Sequence, residues 1–204
     1  AEYLAHLMTE NIPVNIYGKG WGADTPEPTT DNLPETETHY LGRKINQPGT
    51  LTSYTQVIRE NLQDYGLIGG IQRTVNQFNY RRKNRKLFPL VASAAQGYAD
   101  SIPETFSSHE VVLNFSNVWA DGRPGSKLIP HVRLRDFEAP LCRSCYLTGY
   151  TEEIAEFYEL GKEIDTYQTP EELADKVKFY LNHPHEAEKL REAGYQRAKN
   201  DHTW

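Results

Sequence analysis

The last third of the chain constrains the fold most, because strand-like and helix-like segments alternate there without interruption. "CYLTG" (145–149) is a short apolar strand closed by glycine. "TEEIAEFYELG" (151–161) follows, with Ile154, Phe157 and Tyr158 on one helical face and Gly161 as the expected C-cap. "EIDTY" (163–167) is a second strand. "TPEELADKVKFYLNHP" (169–184) then offers Thr169 as N-cap, Pro170 at the first helical position and Glu172 to close a capping box. A final helix runs through "PHEAEKLREAGYQRAKND", with Gly194 inside it. Strands that alternate with helices predict a parallel sheet covered on both faces.

The earlier part repeats this pattern less regularly. Tyr3, Leu4, Leu7 and Met8 form the apolar stripe of an opening helix that Pro13 stops, and Val14 to Gly18 form a strand. Residues 24–38, rich in Pro, Thr, Asp and Glu, read as a loop. Tyr54, Val57, Ile58 and Leu62 share a helical face, with Gly66 as a stop. A further helix through "GGIQRTVNQFNYRRKNRKLFPL" has Ile71, Val75 and Phe78 as its stripe and then carries Arg81, Arg82, Lys83, Arg85 and Lys86. Glu110 to Phe115 form a buried strand, and "GRPGSKLIP" is a turn-rich loop. "VRLRDFEA" starts a helix whose length Pro140 limits. The fold class is therefore α/β, a parallel sheet with helices on both faces.

Composition narrows the function classes. Hydrophobic residues make up 38% and charged residues 25%, which is the balance of a globular protein rather than a disordered one. A net charge of -6 argues against general nucleic-acid binding, although the run Arg81 to Lys86 leaves a local basic patch. No apolar run approaches the ~18 residues of a membrane span, and no signal peptide is visible. The chain opens at Ala1 inside an amphipathic pattern, so it is expected to be a piece of something longer. Cys142 and Cys145 alone cannot close a four-ligand zinc site, and the expectation is two packed, reduced thiols in a cytoplasmic protein.

Parallel sheets bind ligands beyond the carboxyl ends of their strands. That places candidates after Tyr17, after Phe115 and around Thr148. In "YGKGWG", Tyr17, Gly18 and Lys19 allow a backbone approach to phosphate, but Gly-x-Gly alone is a weak signal and a solvated lysine is the plainer reading. Asn114 and Ser116 sit at a strand end, where turn chemistry explains them equally well. In "HVRLRDFEA", Arg133, Arg135 and Glu138 gather at a helix start; a solvated first turn is the bland alternative, and His131 reads as a surface histidine.

"RDFEA", "CYLTG", "EFYELGKEIDTY", "TPEELADKVKFYLNHP" and "HTW" together resemble the C-terminal region of CgeB-like glycosyltransferases. Arg135, Phe137, Glu138, Leu147, Thr148, Gly161, Glu163, Ile164, Glu172, Leu173, His202 and Thr203 match that pattern in order, densely over 111–204. The resemblance implies the C-terminal, donor-binding half of a GT-B fold: a single Rossmann-like domain over 1–204, in which the segment around 52–99 is a helical insertion or an elaborated αβ unit, with an N-terminal acceptor domain elsewhere. It implies a UDP- or GDP-linked sugar donor, an unknown acceptor, and metal-independent transfer that retains anomeric configuration. It also implies Glu138 on the ribose hydroxyls and Arg133 and Arg135 on the diphosphate, so that Arg135 and Glu138 are the expected catalytic pair, with Phe137 beside them. Two positions depart from the pattern: Pro130 stands where a second Glu precedes Glu138 by eight residues, and "CRSC" replaces a small residue after the Glu helix. The alternative readings are a non-catalytic nucleotide-binding or interaction module of the same fold, and a nucleic-acid binder using Arg81 to Lys86.

Overall fold

The computed structural model describes residues 1–18, 21, 39–40, 43–44, 51–115 and 117–203. Its elements in chain order are α1 (Glu2–Thr9), β1 (Ile16–Tyr17), β2 (His39–Tyr40), β3 (Arg43–Lys44), α2 (Leu51–Ala92), β4 (Ala95–Gly97), α3 (Ile102–Ser108) and β5 (Val112–Asn114). There follow β6 (Asn117–Trp119), β7 (Leu128–Pro130), α4 (Arg135–Leu141), β8 (Tyr146–Gly149), α5 (Ile154–Phe157), β9 (Asp165–Tyr167), α6 (Pro170–Asn182) and α7 (Pro184–Asp201). The chain divides into two compact units, the first formed by 1–25, 87–118 and 129–204, the second by 26–86 and 119–128.

The first unit is a mixed α/β body with parallel sheets flanked by helices. β5, β8 and β9 pair in parallel, with Leu113 opposite Leu147 and Leu147 opposite Asp165. β1 and β4 form a separate parallel pair, with Ile16 opposite Ala95. Successive side chains of a strand point to opposite faces, and β8 shows what each face meets. Leu147 and Cys145 join a cluster with Leu7 of α1, Leu173 and Val177 of α6 and Leu190 of α7. Tyr146 joins another with Phe106 of α3, Ala139 of α4, Ile154 of α5 and Ala198 of α7. A strand buried on both faces is the mark of a doubly covered parallel sheet, as the alternation predicts.

Several boundaries differ from the sequence reading. α1 ends well before Pro13, because Asn11 takes a left-handed turn at φ 58°. α5 is a single turn: Tyr158 is extended, and Gly161, at φ 79°, makes its own turn by donating to the Ile164 carbonyl rather than capping the helix. α6 starts as expected, with Thr169 Oγ1 accepting from Glu172 N–H at 3.2 Å. The Glu172 carboxylate reaches back to Gln168 N–H at 2.8 Å. Gly194 is required in α7, since a Cβ there would stand 2.3 Å from the Glu163 carbonyl oxygen.

The second unit is built around α2, which breaks at Gly66 (φ 70°, ψ -176°). Asn61 Nδ2 reaches Thr74 Oγ1 at 3.1 Å and Gln77 Oε1 at 3.0 Å. In one straight helix residues 61 and 77 would lie roughly 24 Å apart, so the two arms fold back as a hairpin. Gly70 permits this, because a Cβ there would sit 2.7 Å from the Asn61 carbonyl oxygen. The loop between β6 and β7 is held against the second arm. Arg73 donates to Asp121 (2.9 and 3.1 Å) and to the carbonyls of Arg123 and Pro124 (each 3.1 Å), and Tyr65 donates to Asp121 at 2.7 Å. The stripe Ile71, Val75 and Phe78, which periodicity would place in a core, is exposed instead.

Candidate functional site

In the first unit β1 pairs with β4 in one sheet and β5 pairs with β8 and β9 in another, and no pairing joins β1 to β5 among the described residues. Ligands of α/β folds enter beyond the carboxyl ends of parallel strands. A cavity of about 670 Å³ runs along the gap between β1 and β5, from Ile12, Asn15 and Val111 before the strands to Tyr17, Asn114 and Phe115 at their carboxyl ends, and Arg135 also lines it.

Each wall residue has a local cause. Ser101 caps α3 by accepting from Glu104 N–H, and the buried Phe106 anchors that helix. His109 follows its last turn. His109 Nδ1 lies 2.6 Å from the Thr105 carbonyl, a contact that requires the proton on Nδ1. Nε2 is then the acceptor, 3.3 Å from Asn15 Nδ2, while the Tyr17 ring meets the imidazole edge-on at 5.6 Å. Arg135 opens α4, its guanidinium 5.9 Å from the centre of the Phe106 ring. An exposed cation beside an aromatic wall suits an anionic ligand with a flat group.

Beneath this wall lies Asp136, 1% exposed. Its Oδ1 accepts from Tyr146 Oη at 2.7 Å, Thr148 Oγ1 at 2.9 Å and Asn114 Nδ2 at 3.3 Å, and its Oδ2 accepts from Arg133 N–H at 2.7 Å. Burial, reinforced by the Asp136 charge, pushes the Tyr146 phenol well above its ordinary range, so it stays a donor. One carboxylate thus ties the end of β5, two residues of β8 and the start of α4 together, and sets where Asn114 and Arg135 emerge. A buried carboxylate needs such a set of donors.

A family model for glycosyl transferase-like proteins matches residues 2–204. The chain belongs to this glycosyl transferase-like family. No curated protein shows a significant match to it.

Within this glycosyl transferase-like chain the expected site residues fall into three groups. Tyr17, Asn114 and Arg135 line the cavity. Gly18, at φ 125°, extends the β1–β4 pairing by donating to the Gly97 carbonyl at 2.7 Å. Arg133 is exposed just before α4, and Glu138 is half-buried one turn beyond Arg135, outside the cavity wall. Phe137 is core: its ring packs edge-on against Phe157 at 5.2 Å and His202 at 5.0 Å. Thr148 is buried on Asp136. Lys19 and Ser116 lie outside the described residues. His202 holds the end of α7 through the Phe157 carbonyl at 3.2 Å.

Asn15, Phe106, His109 and Asp136 escaped the sequence reading. Asp136 stands beside Arg135 in "RDFE", and His109 immediately precedes a strand, so position was the available signal. Cys145 is fully buried, which pushes its thiol up to about 12, and Cys142 is raised by burial and by Glu138. Both are free. Arg143 takes φ 55°, a conformation that favours glycine, and its side chain turns to Glu192 and the Tyr195 ring. Among the described residues, no cluster of His, Cys, Asp and Glu is arranged to hold a metal ion, and no helix is long and apolar enough to cross a membrane.

Proposed function

We propose that the first unit binds a nucleotide-diphospho-sugar in the cavity between β1 and β5, and that the protein transfers the sugar to an acceptor. The observation that carries this reading is that Arg135 lines one cavity with Tyr17, Asn114 and Phe115, the residues that end or follow β1 and β5, in a chain of the glycosyl transferase-like family. Arg135 pairs with the diphosphate, which a guanidinium meets bidentately, and offsets charge that develops on the leaving group. Tyr17 and Phe115 offer rings to the base. The narrower resemblance to CgeB-like enzymes adds the rest of the proposal: Glu138 on the ribose, a UDP- or GDP-linked donor, retention of configuration without a divalent metal, and an acceptor-binding GT-B half joined to this one.

Thermal unfolding with UDP-, GDP-, ADP-, CDP- and dTDP-sugars tests donor binding. At 100 times Kd the stabilisation is about 2.7 kcal/mol, or roughly 5–10 °C for a domain of this size. One nucleotide should produce the shift, and Arg135→Ala should abolish it. No shift with any nucleotide in the folded chain overturns donor binding by this unit alone. Glu138→Ala tests the ribose contact on its own: an unchanged shift removes Glu138 from the site. Sugar transfer undiminished in EDTA supports the metal-independent step.

Pro130 favours a second reading, a nucleotide-binding module without transferase activity, because no carboxylate stands eight residues before Glu138. A thermal shift with no donor hydrolysis or transfer by the full-length protein supports it.

A further inference from the structure

The hairpin of the second unit carries its large apolar side chains on the outside. Ile68 is 82% exposed and Phe78 58%, and Leu67, Ile71 and Val75 are also exposed. From Ile68 the spacing runs three, four, three to Ile71, Val75 and Phe78, then four and three to Arg82 and Arg85. Residues so spaced share one helical face, and that face runs roughly 25 Å at 1.5 Å per residue. Arg82, Arg85 and Lys86 are exposed as well. The opposite face, with Gly70, Arg73 and Gln77, is the one packed within the unit.

Charge separates the occupants such a face would suit. The chain carries a net charge of -6, yet from Tyr65 to Ala99 it has no Asp or Glu and six Arg or Lys. A second copy would meet this face badly: parallel pairing sets Arg82 and Arg85 against themselves, and antiparallel pairing sets them against Ile68 and Ile71. A nucleic acid would satisfy the cations and leave Ile68, Ile71 and Phe78 in water. An anionic lipid surface satisfies both parts, because acyl chains accept the apolar turns while the head groups accept the guanidinium and ammonium groups. We propose that the outer face of the second arm of α2 docks on anionic phospholipid membranes, lying in the interface without crossing it. This inference is independent of the donor-site reading.

Co-sedimentation of the chain with vesicles tests it, comparing phosphatidylcholine alone with phosphatidylcholine containing 30% phosphatidylglycerol. Binding should require the phosphatidylglycerol and weaken with salt. Arg82→Gln with Arg85→Gln and Lys86→Gln should lower the partition coefficient about a hundredfold. Ile68→Ser with Phe78→Ser should lower it at least about tenfold. Both variants should keep the parent far-UV circular dichroism and melting temperature, since the altered side chains are exposed. No binding to the anionic vesicles overturns the proposal, as does binding that the serine pair leaves unchanged. Sedimentation equilibrium showing a dimer that Ile68→Ser dissociates, without vesicle binding, assigns the face to a second copy instead. Tight binding to single-stranded RNA that is indifferent to the serine pair assigns it to nucleic acid.

Discussion

The two units solve burial in opposite ways. The first hides Leu7, Leu147, Ile154, Ile164 and Leu173 and admits two buried carboxylates, each with its own donors: Asp136, with four hydrogen bonds to it, and Asp165, which accepts from Thr166 N–H, Lys176 and Tyr180. The hairpin of the second hides Asn61, Arg73 and Gln77 and shows Ile68, Ile71 and Phe78 to the outside. In the first, non-directional apolar burial supplies the stability and the polar hub sets geometry. In the second, directional contacts hold the arms and loop in register, so removing one partner costs more than the contact itself contributes. Helical periodicity reports that two faces differ; it does not say which one turns inward.

The strongest test of this contrast removes the hub. Asp136→Ala should destabilise the first unit by roughly 3–5 kcal/mol in urea unfolding, because Tyr146, Thr148 and Asn114 lose their acceptor in a buried site; Asp136→Asn, which keeps one acceptor oxygen, should lose less. Leu147→Ala should come next, at about 3 kcal/mol from lost burial and the cavity left behind. Acid should then separate the units. Burial raises the Asp121 carboxyl, but hydrogen bonds from Tyr65, Arg123 N–H, Ser126 and Arg73 outweigh it and hold the group at about 2 against an ordinary 3.8. Folding therefore favours the ionised form, so this stabilisation is complete above pH 3.8 and is lost as pH falls from there through about 2. Amide exchange between Asn61 and Gln77 should accelerate over that window, and Asp121→Asn should remove the dependence. Gly66→Ala should cost about 1–3 kcal/mol, because φ 70° with ψ -176° is a backbone region that glycine alone enters readily, although the site has open space for a β-carbon. The smallest effect belongs to Ile68→Ala, which should stay within about 0.5 kcal/mol. A loss near that of Leu147→Ala would mean the exposed stripe is packed after all.

The parallel sheet was legible because Tyr146 and Leu147 stand in a short apolar run between two helices, and Thr169-Pro170 marks a helix start by side-chain chemistry alone. The candidate site was legible only in outline. Tyr17, Asn114 and Arg135 end strands or begin helices, and strand ends are where ligands approach. Phe137 and Thr148 lie equally close to such ends, yet their side chains go to the Phe157–His202 cluster and to Asp136. No local pattern distinguishes them from Arg135, because a residue's direction at a helix start depends on the twist of a sheet assembled from distant segments. His109 and Asn15 meet across 94 positions of chain, a proximity that neither segment encodes alone.

Sequence by itself determined the alternation of strands and helices from β8 onward, the break at Gly66 and the basic character of the arm beyond it, since these follow from periodicity, backbone permission and composition along a single stretch of chain; β4 and α3, whose short segments carry no such period, it left unread. Tertiary structure decided that the arm's apolar stripe faces outward, that Asp136 became the buried hub while its neighbour Arg135 reached the cavity, and that β1 and β5 part to form that cavity. Each of these depends on which surfaces meet, and meeting is a property of the whole folded chain.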